Sequence, residues 1–238
     1  MTFILTSSPC VVGCPDMNPA NGLAEAVRQA LPPVPRALFV CSDPDTPERT
    51  DGFAEDMRHC FRTAGIRFAE YTVLDGRNAG DAERLIRGAE LVILAGGHVP
   101  TQQAFFQRIG LSRLLQGFPG TVFGISAGSM NAARLVYAQP ELPGEAVDPG
   151  FSRFIEGLGL TETMIWPHFQ ESRHHVIDGL RLLEDISLPD SLGHTFYALP
   201  DGSYLLGRDG RETFFGECWR LRDGALEQVS GDGGRLAL

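Results

Sequence analysis

Through the first half of the chain, short unbroken apolar runs alternate with stretches whose apolar residues recur every three or four positions. Phe3, Ile4 and Leu5 form the first run, followed by a Thr-Ser-Ser-Pro turn. Residues 20–31 place Leu23, Val27 and Leu31 on one helical face before Pro32 and Pro33 end it. Residues 37–41, ALFVC, are apolar throughout, as in a strand buried on both faces. A loop rich in Asp and Pro leads into a helix that ends near Ala64, with Gly65 as its C-cap. Residues 68–74 read as a strand and 79–87 as a helix. Residues 91–95, LVILA, are the most apolar strand and run into Gly96-Gly97-His98. A helix is predicted over 102–115, and a strand over Thr121–Ile125. Strand and helix thus alternate five times with short connections, which implies an α/β fold: a parallel sheet with helices on both faces. Such sheets bind ligands beyond the carboxyl ends of their strands, where Gly96-Gly97 and Ser126 both fall.

The rhythm loosens after residue 133. Residues 139–150 read as a surface loop, 164–169 as a strand ending near His168, and 172–183 as a helix. From Thr195 the Asp-Gly turns predict hairpins, taken as antiparallel strands that extend the same domain. No linker or repeat divides the chain, so residues 1–238 are expected to form one domain.

Composition narrows the function. The 238 residues carry a formal net charge of −10, against the basic face that nucleic-acid binding requires. No apolar stretch approaches the roughly 18 residues of a membrane span. The N-terminus has no basic leader and reads as a strand. Five cysteines without paired spacing suggest reduced thiols and a cytoplasmic protein. Cys10 and Cys14 lack the second Cys or His pair of a metal site, and no metal is expected.

The chemistry centres on residues 121–133, TVFGISAGSMNAA. A strand, a sharp turn carrying Ser126, and a helix give the G-x-S-x-G pattern of a nucleophile elbow. Glycines two before and two after the serine let strand and helix pack closely. The serine oxygen then lies over a helix N-terminus, whose free N–H groups stabilise negative charge.

Four motifs together resemble the peptidase E family, aspartyl dipeptidases grouped with the cyanophycinases. They are Ala95-Gly96-Gly97-His98, Gly124-Ile125-Ser126-Ala127-Gly128-Ser129, Pro167-His168-Phe169 and Leu199-Pro200-Asp201-Gly202. The resemblance implies a flavodoxin-like, three-layer sandwich similar to class I glutamine amidotransferases, with serine where those enzymes carry cysteine. It also implies a homodimer and short peptides as substrates, with no cofactor. Within it Ser126 is the nucleophile and His168 its base. Glu141, fifteen residues beyond Ser126, and Asp201 compete as the acid that orients His168, with Glu141 slightly favoured. The amides of Gly97 and Ala127 would bind the oxyanion. His98, where the family often has Asn, would contact substrate or cap the following helix. Arg173 is nearest to the family's recognition arginine for a substrate carboxylate. His59, His174, His175 and His194 have no evident role. Hydrolysis of Asp-X dipeptides is therefore expected. The alternatives are a related serine hydrolase with specificity for other dipeptides or with carboxypeptidase-like or cyanophycinase-like specificity, or a non-catalytic homologue that binds a small ligand; an esterase on the larger α/β-hydrolase fold is disfavoured by the lack of a suitable histidine near the C-terminus.

Overall fold

The computed structural model describes residues 1–238. The alternating part of the sequence supplies β1 (Thr2–Thr6), α1 (Leu23–Ala30), β2 (Arg36–Val40), α2 (Pro47–Thr63), β3 (Glu70–Leu74), α3 (Ala82–Gly88) and β4 (Leu91–Leu94). It continues with α4 (Val99–Arg108), α5 (Leu111–Leu115), β5 (Thr121–Ile125) and α6 (Ala127–Asn131). The helix expected over 102–115 is two helices. Gly110 interrupts it at a left-handed φ of 65°, and the chain restarts as α5.

The remainder forms β6 (Leu135–Tyr137), β7 (Phe154–Glu156), β8 (Met164–Trp166), α7 (Phe169–Ser172), β9 (Val176–Ile177), β10 (Leu180–Arg181) and α8 (Leu188–Asp190). Then follow β11 (Thr195–Ala198), β12 (Tyr204–Arg208), β13 (Arg211–Phe215), β14 (Cys218–Arg222), β15 (Ala225–Ser230) and β16 (Arg235–Ala237). Residues 172–183 are not one helix. Asp178 and Gly179 both take positive φ, 53° and 82°, and turn the chain into the β9–β10 hairpin.

The main sheet has eight strands in the order β16-β13-β12-β1-β5-β4-β2-β3. From β1 to β3 its neighbours are parallel, while β12, β13 and β16 add antiparallel strands on the other side of β1. Alternation along each parallel strand fills two cores. Leu38, Val40, Val92, Leu94 and Val122 pack on one face with α3–α5. Phe39, Ile93, Phe123 and Ile125 pack on the other with α1 and α2. Burial on both faces explains the unbroken apolar runs.

The hairpin-rich tail does more than extend this sheet. Strands β11, β14 and β15 join β8 in a second, four-stranded sheet, order β15-β14-β11-β8. It closes on its own core of Trp166, Phe169, Phe196 and Leu221. Only the β8–β11 pair in it is parallel, with Trp166 opposite Ala198. No helix is long and apolar enough to cross a membrane.

Candidate active site

Register places the first components of the site. Thr6 on β1 pairs with Ile125 on β5, and Leu94 on β4 pairs with Gly124. The next residues along, Ser7, Ser126 and Gly96-Gly97, therefore emerge side by side at the carboxyl edge of the sheet.

Ser126 has φ 49° and ψ −111°, a conformation L-residues avoid at a cost of about 1–3 kcal/mol. Its surroundings enforce it. The Ser126 N–H donates to the carbonyls of Thr6 and Ser7 at 3.0 and 3.1 Å, and its own carbonyl accepts from Ser129 and Met130 at 2.8 and 3.0 Å. The flanking glycines are steric necessities. A Cβ on Gly124 would sit 2.9 Å from Ser129 Cα, and one on Gly128 would collide with the Leu94 carbonyl. The turn delivers Ser126 Oγ into a cleft, and the amide of Ala127 opens the unsatisfied first turn of α6.

His168 comes from the second sheet. After β8, Pro167 ends the strand and His168 takes a left-handed conformation, φ 54° and ψ 33°, before α7 begins. Its Nε2 lies 3.0 Å from Ser126 Oγ, and its Nδ1 lies 2.8 Å from Asp201 Oδ1. Asp201 follows β11. The β8–β11 pairing continues past its last ladder pair, since Leu199 N–H donates to the Trp166 carbonyl and Phe169 N–H to that of Leu199. This extension brings the two turns together, and with them His168 and Asp201.

The site corrects the slight preference for Glu141 as the acid beside His168: the carboxylate on Nδ1 is that of Asp201. Asp201 is well supported. Ser7 Oγ donates to its Oδ1 at 2.7 Å and Gln170 Nε2 to its Oδ2 at 2.8 Å, while the Asp201 N–H donates to Gln170 Oε1 at 3.0 Å. Ser7 Oγ also accepts the His168 N–H at 2.7 Å, so one hydroxyl joins both residues. Burial pushes the Asp201 carboxyl upward. The hydrogen bond and charge of His168, with the bonds from Ser7 and Gln170, outweigh that and hold it below the ordinary carboxylate range.

Ser7 and Gln170 were not singled out from the sequence. The one available signal for Gln170 was its place two residues after His168. Ser7 gave none, because its role depends on strands far apart in the chain.

Glu141 lies nearby but forms no side-chain hydrogen bond; its N–H donates to Glu145 Oε2 at 2.8 Å. Burial and the neighbouring Glu145 push its carboxyl up to about 7, with His168 acting in the opposite direction. His98 is bound on both ring nitrogens, Nε2 to Glu145 Oε1 and Nδ1 to Thr101 Oγ1, each at 2.8 Å. Arg173 does not line the cleft. Its guanidinium lies over the rings of Phe169 and Trp219, with centroids 5.3 and 5.8 Å away. The one guanidinium on the cleft wall is that of Arg49, near the start of α2.

Ser126 and His168 sit between two cavities. The larger, about 790 Å³, is lined by Phe39, Arg49, Phe53, Met57, Gly97 and His98 among others. The smaller, about 380 Å³, is lined by Gly97, Gln139, Glu141, His168, Glu171 and His175 among others. The Gly97 N–H has no acceptor within the protein and borders both cavities. Cys10 and Cys14 are free thiols at the rim of the larger one, and no three His, Cys, Asp or Glu side chains cluster as metal ligands.

Chemically, the arrangement offers a hydroxyl at a strained elbow, an imidazole within proton-transfer distance, a carboxylate on the far ring nitrogen, and amides flanking the hydroxyl.

Comparison with known proteins agrees with this fold. No curated protein sequence matches the chain. Among solved structures, a crystal structure named "Putative Peptidase E Protein" from Listeria monocytogenes EGD-e superposes with a TM-score of 0.59 at 12% identity. The match covers 96% of this chain and 98% of that one, and shows a shared fold. The sequence model of peptidase family S51 matches residues 3–213. A mostly parallel sheet, a serine elbow and a family match over nearly its whole length agree: the chain belongs to peptidase family S51.

Proposed function

We propose that the protein is a serine exopeptidase that hydrolyses short peptides through an acyl-enzyme. The carrying observation is the unbroken chain from Ser126 Oγ to His168 Nε2, and from His168 Nδ1 to Asp201, at 3.0 and 2.8 Å. Ser126 attacks the scissile carbonyl as His168 takes its proton. Asp201 holds the imidazole in the tautomer with hydrogen on Nδ1 and stabilises the cation that forms. Negative charge on the carbonyl oxygen is met by the amides of Gly97 and Ala127. His168 returns the proton to the leaving amine, and a water activated by the same imidazole releases the acyl group.

Preference for an N-terminal aspartate is the finer expectation that the family resemblance supplies. With Arg173 packed on aromatic rings, such a preference would have to use Arg49, through a bidentate contact to the substrate carboxylate.

The test is a panel of Asp-Leu, Glu-Leu, Leu-Leu and Leu-Asp with their N-blocked forms, together with fluorophosphonate labelling of wild type and Ser126→Ala. Labelling of wild type alone, and hydrolysis abolished by roughly 10⁴-fold or more in Ser126→Ala, is expected. A wild-type protein that neither labels nor cleaves any dipeptide would instead favour a non-catalytic binding role.

A further inference from the structure

The smaller cavity beside Ser126 is lined by two polar side chains that nothing in the protein satisfies. The Glu141 carboxylate has no hydrogen-bond donor, and His168 is the basic group whose charge reaches it. Gln139, two residues earlier, is only 6% exposed, and its Oε1 has no partner. A buried polar side chain without a partner is costly and rare, so Gln139 beside an unpaired carboxylate needs a reason.

The segment that carries them is fixed in advance. Glu145 Oε2 accepts the N–H groups of Glu141 and Leu142, at 2.8 and 2.9 Å, while its Oε1 is held by His98. Asp178 accepts the N–H groups of Gly144 and Ala146, at 2.8 and 3.0 Å. Glu145 is thus fully used in building the loop, and Glu141 is left free beside Ser126. The cavity wall adds Glu171 and His175 but no Arg or Lys. A carboxylate lining one small space, with an unpartnered amide beside it and no Arg or Lys side chain from the wall, complements a compact cation with several N–H donors. An ammonium fits that description better than a broad guanidinium.

We infer that Gln139 and Glu141 receive the free α-ammonium group of the peptide whose carbonyl Ser126 attacks, so that they select substrates with an unblocked N-terminus. The inference rests on the reading of Ser126 as nucleophile. It gives Glu141 a substrate-binding role in place of the orienting role that Asp201 fills. It also sets the direction of the peptide. The amino group occupies the smaller cavity, while the side chain of that residue, toward Arg49, and the leaving residue extend into the larger one.

The deciding measurement is binding to the Ser126→Ala protein, which needs no bond cleavage. Leu-Leu and Asp-Leu are titrated calorimetrically beside their N-acetylated counterparts. Acetylation removes the charge and two donors, and is expected to weaken binding by roughly tenfold or more. Ser126→Ala combined with the isosteric Glu141→Gln should bring the two forms to within about threefold, and Glu141→Asp should restore part of the discrimination. Equal affinity of free and acetylated peptides, an unchanged ratio in the double variant, or no binding of either form overturns the inference. Absence of fluorophosphonate labelling in wild type would overturn the serine chemistry alone, so the two failures are separable.

Discussion

The conformation of Ser126 is made within a window of a few residues. Gly124 and Gly128 admit it, and Ser129 and Met130 bond back to its carbonyl. His168 and Asp201 are placed otherwise. They meet because β8 and β11 pair in parallel across some thirty residues, and the Ser7 hydroxyl, 194 positions before Asp201, locks the meeting. The elbow belongs to the parallel sheet and the corner opposite it to the second sheet. The 3.0 Å between Ser126 Oγ and His168 Nε2 is therefore set by how the two sheets pack. The proposed nucleophile is specified by a short motif, whereas the groups it meets depend on tertiary structure.

The strongest challenge to that contrast is Asp201→Asn. It keeps the shape of the corner but favours the wrong imidazole tautomer, and should lower kcat by about 10⁴-fold with little change in KM. Glu141→Asn, compared in the same assay, should leave kcat far closer to wild type. The reverse order would return the orienting role to Glu141.

On the elbow side, Gly97→Ala should act through the backbone. The new Cβ would collide with the side chain of Ser42 and displace the Gly97 amide. A fall in kcat of roughly 10²–10³-fold is expected, as for loss of one oxyanion donor. Unaltered kcat would remove Gly97 from the proposed oxyanion site.

Stability should separate the two carboxylates as well. Glu141 keeps its proton to about pH 7 in the folded chain, against 4.5 as the ordinary value. The folded state binds more protons between those values, so stability falls as pH rises through them. Glu141→Gln should therefore exceed wild type at pH 8 by up to about 3 kcal/mol, and match it below pH 4. Urea unfolding at both pH values checks this; a difference independent of pH would refute it. Asp201, held below its ordinary range, contributes in the opposite sense: its stabilisation is present above about pH 4 and lost as pH falls through its lowered value.

The smallest effect is expected for Ser7→Ala. It removes one of several bonds to Asp201 and the acceptor of the His168 N–H, and should lower kcat about tenfold while leaving KM unchanged. A larger rise in KM than fall in kcat would mean that Ser7 contacts substrate.

The same contrast explains what was legible in the sequence. The parallel strands announce themselves by apolar runs, and the elbow by glycines at fixed spacing, because both are local. Asp201 could not be ranked above Glu141, since Leu199-Pro200-Asp201-Gly202 reads as an ordinary turn until β11 is laid beside β8. The helix expected over 172–183 overlooked Asp178-Gly179, a hairpin signal within a seemingly helical spacing. The second sheet was unreadable as a sheet because it joins β8, β11 and the β14–β15 hairpin, three separate segments of which only the hairpin is local. Arg173 was placed by its distance along the chain from His168, yet its guanidinium turns onto Trp219, forty-six positions later.

The torsion angles at Ser126 carry an evolutionary consequence. Glycine would occupy that corner more comfortably than any residue with a Cβ, so Ser126→Gly should raise the melting temperature even as it abolishes turnover. A lineage released from its substrate and selected only for durability would be expected to drift toward glycine there. In such descendants an intact fold with a glycine at position 126 would mark a retired enzyme.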